Sequence, residues 1–195
     1  MVQIDLGMSI IKRTKLILIS KPIWRNMKVI LLSSNKYPGF ETIVDDEDFN
    51  ELIQYKWHLK VVKKKWSISY YAVANYDQKQ IYMHRLIMAL HGYDIENKLI
   101  DHKDQNGLNN QKENLRICNL SENAQNARKP KHGKTSKYKG VSVRKSTNKY
   151  HSYIMLNQKR IHIGYFTNEI DAAIAYNKKA IELFGEFACL NIIKI

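Results

Sequence analysis

An Asp-His pair, Asp101 and His102, opens a stretch at residues 100–126 that is crowded with asparagine. Enzymes that cut phosphodiesters with a divalent ion need one or two hard oxygen ligands from the protein and open positions for a phosphate oxygen and water. They also need a neutral imidazole to take the proton from the attacking water. A carboxylate beside an imidazole supplies both groups if the strand ends or bends there, because neighbouring strand residues point to opposite faces. The QNG sequence that follows permits such a bend.

The stretch resembles the HNH nuclease motif. The matching segments are IDHKDQNGLNN, KENLRIC and SENAQN. His102 falls at the first motif position, Asn114 follows 12 residues later, and Asn123 follows 9 residues after that. YMHRLIMALHG, just upstream, resembles the lead-in of phage and intron-associated members. A single asparagine is more often a turn former than a ligand, so the interpretation depends on these segments occurring together.

The resemblance implies a ββα-metal fold that holds one Mg²⁺ or Mn²⁺ ion per site. It makes His102 the general base, and it makes Asp101 and Asn123 the protein ligands of the ion. Asn123 is expected in the first turn of a helix begun by Ser121. Asn114 is expected to be structural, holding His102 in its tautomer and orientation through hydrogen bonds across the loop.

The elements that position these residues are predicted from the hydrophobic pattern. Five short runs rich in Val, Ile, Tyr and Trp predict a small sheet ahead of the motif. The runs are Lys28–Ser33, Glu41–Val44, Trp57–Val62, Trp66–Ala74 and Gln80–Met83. DDEDFNELIQ predicts a short helix with acidic residues near its N-terminus. MHRLIMALHG predicts a second helix that ends at Gly92 and buries Leu86, Ile87 and Leu90.

The last third of the chain predicts three strands followed by one amphipathic helix. The strands are Gly140–Lys145, Tyr150–Leu156 and Lys159–Phe166. The helix is capped by Thr167 or Asn168 and ends at Gly185. Its predicted buried face consists of Ile170, Ala173, Ile174, Ile181 and Phe184.

From Lys137 to Ile192 this unit resembles the AP2 DNA-binding domain, on the segments YKGV, IGYFT, DAAIAYN and LNI. The resemblance implies a three-stranded antiparallel sheet, backed by the helix, that lays one face into the major groove. The residues at DNA-contacting positions of the family are Lys139, Arg144, Tyr150, Arg160 and His162. Ser142 and Met155 stand where Arg is usual, and His162 stands where Trp is usual, so the base preference of the family is not transferred.

Charge points to a polyanionic partner, because 32 Lys and Arg against 18 Asp and Glu give a net charge of +14. No acidic residue lies between Glu122 and Glu169, whereas eleven basic ones do. They are Arg128, Lys129, Lys131, Lys134, Lys137, Lys139, Arg144, Lys145, Lys149, Lys159 and Arg160. We expect the partner to be double-stranded DNA. Arg85 and Arg116 are predicted phosphate contacts, with solvated surface charge an equally weighted alternative.

Other classes of protein are not favoured. Cys118 and Cys189 belong to no CxxC pair, so neither a disulfide framework nor a zinc knuckle is indicated. The sequence contains no run of about 18 apolar residues, so no membrane span is predicted. We expect a cytoplasmic monomer, and we expect Met1–Asn26 to be an extension that activity does not need.

Together these patterns predict an α+β fold. The expected organisation is an extension at 1–26, a β-rich module at 27–80, an HNH nuclease domain at 81–127, a basic linker at 128–137 and an AP2-like domain at 138–192. The predicted function is site-specific cleavage of DNA, of the homing type and by nicking. Two alternatives remain open: a non-catalytic AP2-type DNA-binding regulator with a decayed nuclease domain, and an RNA-binding or RNA-processing protein.

Overall fold

The structure, a computed structural model, describes residues 27–65, 67–127 and 135–193. This part of the chain forms a mixed α/β fold with four small antiparallel sheets and four α-helices. The predicted extension 1–26, Trp66 and the first seven residues of the predicted linker lie outside the described residues. Among the described residues, no helix is long and apolar enough to cross a membrane.

The N-terminal region contains a hairpin, a short helix and a three-stranded sheet. Strands β1 (Met27–Leu31) and β2 (Glu41–Asp45) pair antiparallel and lead into helix α1 (Asp46–Leu52). The sheet has the order β3-β4-β5, formed by β3 (His58–Lys64), β4 (Ser67–Tyr76) and β5 (Lys79–Tyr82). The sequence pattern located every element of this region to within a few residues, but the five strands form two sheets rather than the single sheet predicted.

Helix α2 (Met83–Leu90) packs against β4 and β5 through a face centred on Met83 and Ile87. The prediction for Ile87 is confirmed and the one for Leu90 is wrong, because 48% of Leu90 is exposed. Met83 and Ile87 are four residues apart and so lie one above the other on the helix. Met88 completes the buried face that Leu90 was expected to complete.

The motif region has the order strand, strand, helix. Strand β6 (Leu99–His102) pairs antiparallel with β7 (Leu115–Cys118), and helix α3 (Leu120–Asn126) follows. The helix begins one residue earlier than predicted. Asn119 rather than Ser121 caps it, because the Asn119 side chain accepts from the Glu122 N–H while the Glu122 carboxylate accepts from the Asn119 N–H.

The C-terminal unit is a sheet of order β10-β9-β8 with helix α4 packed across it. Its elements are β8 (Val141–Arg144), β9 (Lys149–Leu156), β10 (Lys159–Phe166) and α4 (Glu169–Phe184). Asn168 is the N-cap, as predicted.

The predicted buried face of α4 is partly wrong. Ala173 and Phe184 are buried, whereas Ile174 and Ile181 are about half exposed. Three alanines and Tyr176 occupy the sheet-facing side instead, because small side chains bring the helix close to the sheet. Gly140 shows how close the approach is: a Cβ at this position would lie 2.0 Å from the Tyr176 ring.

One hydrophobic core joins the N-terminal region to the motif region. Val44, Leu52 and Trp57 from the first meet Met83, Ile87, Leu108 and Leu115 from the second. The C-terminal unit has its own core around Tyr138, Val141, Ile154 and Tyr176. The residues on either side of the predicted boundary at 80 therefore pack as one body.

Candidate active site

Asp101 stands directly across the β6–β7 ladder from Arg116. Arg116 donates from Nε and Nη2 to Oδ2 of Asp101, over 3.0 and 2.7 Å. Both side chains are buried. A buried carboxylate needs such a partner, because an unpaired buried charge costs several kcal/mol.

Helix α3 supplies the second partner of Asp101. Nδ2 of Asn126 donates to both carboxylate oxygens, over 3.1 and 2.8 Å, and to the His102 carbonyl. Asn123 lies three residues earlier and so neighbours Asn126 on the helix surface, but Asn123 is exposed whereas Asn126 is buried. The side-chain amide of Asn123 makes no hydrogen bond to the described residues, which leaves its carbonyl oxygen available as a ligand.

His102 is the last residue of β6, so the strand ends where the sequence pattern required it to end. Its ring is buried, and Nε2 lies 3.1 Å from Oδ1 of Asn110. The ring of His84 stands 5.1 Å away, edge to face. Burial lowers the pKa of His102 below its ordinary value, against the opposing effects of the Asn110 hydrogen bond and the charges of Asp104 and Asp101. The imidazole is therefore neutral at pH 7, the form that can accept a proton.

Asn114 holds the loop between β6 and β7 together. Its Oδ1 accepts from the Asp104 N–H, and its Nδ2 donates to the Asn109 carbonyl and to Oδ1 of Asp104. The contact with the His102 ring is made by Asn110 instead. Any effect of Asn114 on the orientation of the His102 ring would be transmitted through this loop, which carries Asn110.

The two arginines predicted to contact phosphate bond within the protein. Arg85 donates to the Lys98 and Ile95 carbonyls. Arg116 is buried against Asp101, and its Nη1 donates to the Glu186 carbonyl. A phosphate contact is thus not available to Arg116 in this conformation.

The outer face of the C-terminal sheet carries three of the predicted DNA-contacting residues. Arg144, Arg160 and His162 are exposed there among tyrosine and histidine rings. Arg160 lies 4.4 Å from the Tyr153 ring, and Nδ1 of His162 lies 2.8 Å from Nε2 of His151.

The other two predicted DNA contacts lie elsewhere. Tyr150 is half-buried and packs on the core of the unit. Nζ of Lys139 donates to the Gln125 and Ala127 carbonyls at the end of α3, over 2.6 and 2.7 Å. Lys139 therefore joins the C-terminal unit to the motif helix, and burial lowers its pKa below the ordinary value.

The region that contains this site matches a known protein family by sequence. Residues 81–125, which include β6, β7 and most of α3, match the sequence model of the HNH endonucleases. An uncharacterized HNH endonuclease of Acanthamoeba polyphaga mimivirus is 37% identical to this chain over 144 residues, 70% of this chain and 71% of the relative.

The chain belongs to the HNH endonuclease family. Such enzymes commonly use a divalent metal ion, and carboxylate and amide oxygens are ligand types that a hard cation prefers. Asp101 provides a carboxylate whose Oδ1 accepts only one hydrogen bond in the described part of the chain, and Asn123 provides an amide oxygen. No group of three His, Cys, Asp or Glu residues that could hold an ion occurs among the described residues.

Three site residues of this HNH endonuclease were missed by the sequence reasoning. Asn126 carried a usable signal, because it lies one turn after Asn123 on the same helix. Asn110 and Thr42 carried none. Asn110 is one of several asparagines in the loop. Thr42, whose Oγ1 accepts from Nδ2 of Asn110, comes from a strand 60 positions before His102.

Proposed function

We propose that this chain is a site-specific double-stranded DNA endonuclease of the homing type, which hydrolyses one phosphodiester per binding event. The presence of a basic, sheet-based C-terminal unit after the HNH region supports site-specific cleavage. A monomer with one such centre can act on one strand at a time, so nicking is the expected outcome.

The observation that carries the proposal is the placement of His102. Its ring is buried at a strand end next to Asp101, its backbone carbonyl accepts from Asn126 of the short helix α3, and burial favours the neutral form of the ring by lowering its pKa. In the proposed reaction His102 takes the proton from the attacking water. Asp101 and Asn123 would hold one Mg²⁺ or Mn²⁺ ion, which when bound stabilises charge on the scissile phosphate.

The residues around Asp101 support its role as a ligand. Arg116 and Asn126 both donate to the Asp101 carboxylate and hold it in one orientation. The lone pairs that accept no hydrogen bond therefore also have a fixed orientation. A ligand with a fixed orientation loses little conformational entropy when an ion or a phosphate arrives.

The C-terminal unit is proposed to be an AP2-like domain that reads the DNA site. Arg144, Arg160 and His162 on its outer sheet face would contact bases and phosphates. The absence of acidic residues between Glu122 and Glu169 favours this face for a polyanion.

A supercoiled-plasmid assay tests the proposal. Purified protein is incubated with Mg²⁺ and plasmids that carry random segments of the source genome, and conversion to the open circle is measured. We expect conversion that depends on the inserted segment and that is lost in His102→Ala. His58→Ala is the matched control. It replaces a histidine at the start of β3 and should retain activity.

The opposite result is equally definite. If neither Mg²⁺ nor Mn²⁺ supports conversion while gel shifts show tight binding to one sequence, the protein is a DNA-binding regulator with a decayed nuclease domain. Preferential binding of single-stranded RNA over duplex DNA would favour the RNA-processing alternative.

A further inference from the structure

A chain of buried hydrogen bonds runs from strand β2 to the ring of His102. Nδ2 of Asn110 lies 2.7 Å from Oγ1 of Thr42, and Oδ1 of Asn110 lies 3.1 Å from Nε2 of His102. Thr42 and Asn110 are fully buried, with 0% exposure each. Polar groups buried this completely are retained only when they are paired, so every bond in the chain matters.

The direction of the chain is set by a backbone carbonyl at its far end. Oγ1 of Thr42 donates to the Leu108 carbonyl over 2.8 Å, and a carbonyl can only accept. The sulfur of Met83, 3.7 Å from the same hydroxyl, is a much weaker acceptor. With its proton committed, the Thr42 oxygen accepts from the amide NH₂ of Asn110.

The orientation of Asn110 then decides the tautomer of His102. Because the NH₂ group of Asn110 faces Thr42, its carbonyl oxygen faces Nε2 of His102. A carbonyl oxygen accepts, so Nε2 must carry the proton of the neutral ring. The other ring nitrogen, Nδ1, is then the unprotonated one.

Backbone pairing keeps this arrangement in register. The Ile43 N–H donates to the Leu108 carbonyl over 2.9 Å, and the Asn110 N–H donates to the Ile43 carbonyl over 2.8 Å. Asp45 accepts from the Lys112 N–H over 2.8 Å. Strand β2 thus lies alongside the loop and pairs with it through an isolated parallel bridge between Ile43 and Asn109, and Thr42 cannot shift without breaking several bonds.

We propose that Thr42 and Asn110 are positioning residues that hold His102 as its Nε2–H tautomer and so assign proton transfer to Nδ1. This inference rests on the proposed function, because it specifies which atom of the general base reacts. It also makes the N-terminal hairpin a part of the catalytic centre, although the motif that matches the family begins at residue 81.

Nitrogen NMR of the full chain tests the proposal without any cleavage. The protein is labelled with ¹⁵N-histidine and studied at about pH 8, above the ordinary pKa of an imidazole. Two-bond correlations between ring nitrogens and ring protons distinguish the tautomers, and His102→Gln identifies the His102 signals among the seven histidines. We expect a single Nε2–H tautomer. A dominant Nδ1–H tautomer in the wild type would overturn the proposal, and this measurement needs no variant of Thr42 to fold.

Two substitutions of Thr42 test the relay itself. Thr42→Val keeps the shape but removes the hydroxyl, so the His102 signals should shift toward a mixture of tautomers. Thr42→Ser keeps the hydroxyl and should restore the wild-type pattern. In the nicking assay, Thr42→Val should lower kcat ten- to a hundredfold with little change in KM, as is usual when a group behind a reacting residue is lost.

The outcomes separate this proposal from the proposed function. Unchanged His102 signals in folded Thr42→Val would overturn the relay even if the enzyme nicks DNA. If the wild type nicks nothing, the nitrogen signals still decide whether Thr42 and Asn110 set the tautomer. The positioning role would then stand as a structural fact while the endonuclease assignment fails.

Discussion

Arg116 connects Asp101 to the C-terminal unit. While Nε and Nη2 donate to the Asp101 carboxylate, Nη1 donates to the Glu186 carbonyl over 2.5 Å, and the guanidinium lies 4.0 Å from the centre of the Phe187 ring. The turn Gly185–Phe187, which follows α4, therefore contacts Arg116, and Arg116 in turn binds the carboxylate of Asp101, the candidate metal ligand. Nε2 of Gln105, three residues after His102, contacts Cys189 in the same segment.

The first prediction concerns this ion pair. Arg116→Met should lower the free energy of unfolding by about 3–5 kcal/mol, because it leaves the buried Asp101 carboxylate without its cation. Urea unfolding followed by circular dichroism measures the loss.

A double-mutant cycle identifies the cause. Asp101→Asn removes the charge that Arg116 neutralises, so the double variant should lose less stability than the two single losses added together. Arg116→Lys keeps the charge but not the two-nitrogen geometry and should fall between wild type and Arg116→Met. Strict additivity would mean that the ion pair contributes nothing specific.

The second prediction separates DNA contacts from structural contacts among the basic residues. Arg160→Gln should weaken DNA binding and reduce the slope of log affinity against log salt by about 0.9, the value for one phosphate contact. Lys139→Gln should leave this slope unchanged and instead lower stability, because the Lys139 ammonium is bonded to the end of α3.

Fluorescence anisotropy with labelled duplex at several salt concentrations measures both slopes. An unchanged slope in Arg160→Gln, with a reduced slope in Lys139→Gln, would reverse the assignment. That result would mean that the Lys139 ammonium leaves α3 when DNA binds.

The third prediction is a pH dependence of stability that comes from His84. Burial lowers the pKa of His84 to about 3, with the neighbouring His102 and Arg85 acting in the same direction. The unfolded chain takes up this proton near pH 6.5, whereas the folded chain does not until about pH 3. The free energy of unfolding should therefore fall as the pH falls below 6.5, by up to about 1.4 kcal/mol per pH unit from this residue.

His84→Phe keeps a ring but removes the titration. Urea unfolding of both proteins at pH 7, 6 and 5 should show a shallower loss of stability in the variant. Parallel losses in the two proteins would show that His84 is protonated in the folded state.

The fourth prediction concerns the loop held by Asn114. Asn114→Ala removes three hydrogen bonds in a partly exposed loop and should lower stability by about 1–3 kcal/mol. Nicking should fall as well, because the loop carries Asn110 beside the His102 ring. Asn109→Ala removes the hydrogen bond to Asp104 and a long one, 3.5 Å, from the Gln111 N–H; it is the matched control, with a smaller expected loss. Equal losses in both variants would show that Asn114 has no special part in the loop.

Local sequence alone determined the elements and the composition of the site. Strand patterns and the Asn168 cap depend on neighbours within a few residues, where periodicity and capping rules apply, whereas the ββα order was implied by the resemblance to the HNH motif. The Asp-His pair was expected where a strand ends or bends, because the QNG sequence that follows permits a bend. The buried faces of α2 and α4 were less accurate. Leu90 of α2 and Ile174 and Ile181 of α4 are exposed, whereas Met88 of α2 and Ala172, Tyr176 and Ala180 of α4 are buried.

Only the tertiary structure decided which groups act on the site residues. Thr42 is linked to His102 through Asn110 because β2 lies along the motif loop. Arg116, which was predicted to contact phosphate, pairs with Asp101 because the two residues are in register on β6 and β7. The Asp101–Arg116 and Thr42–Asn110 bonds join residues 15 and 68 positions apart. Hydrogen bonds over such separations depend on how the sheets pack, and no periodicity in the sequence records that packing.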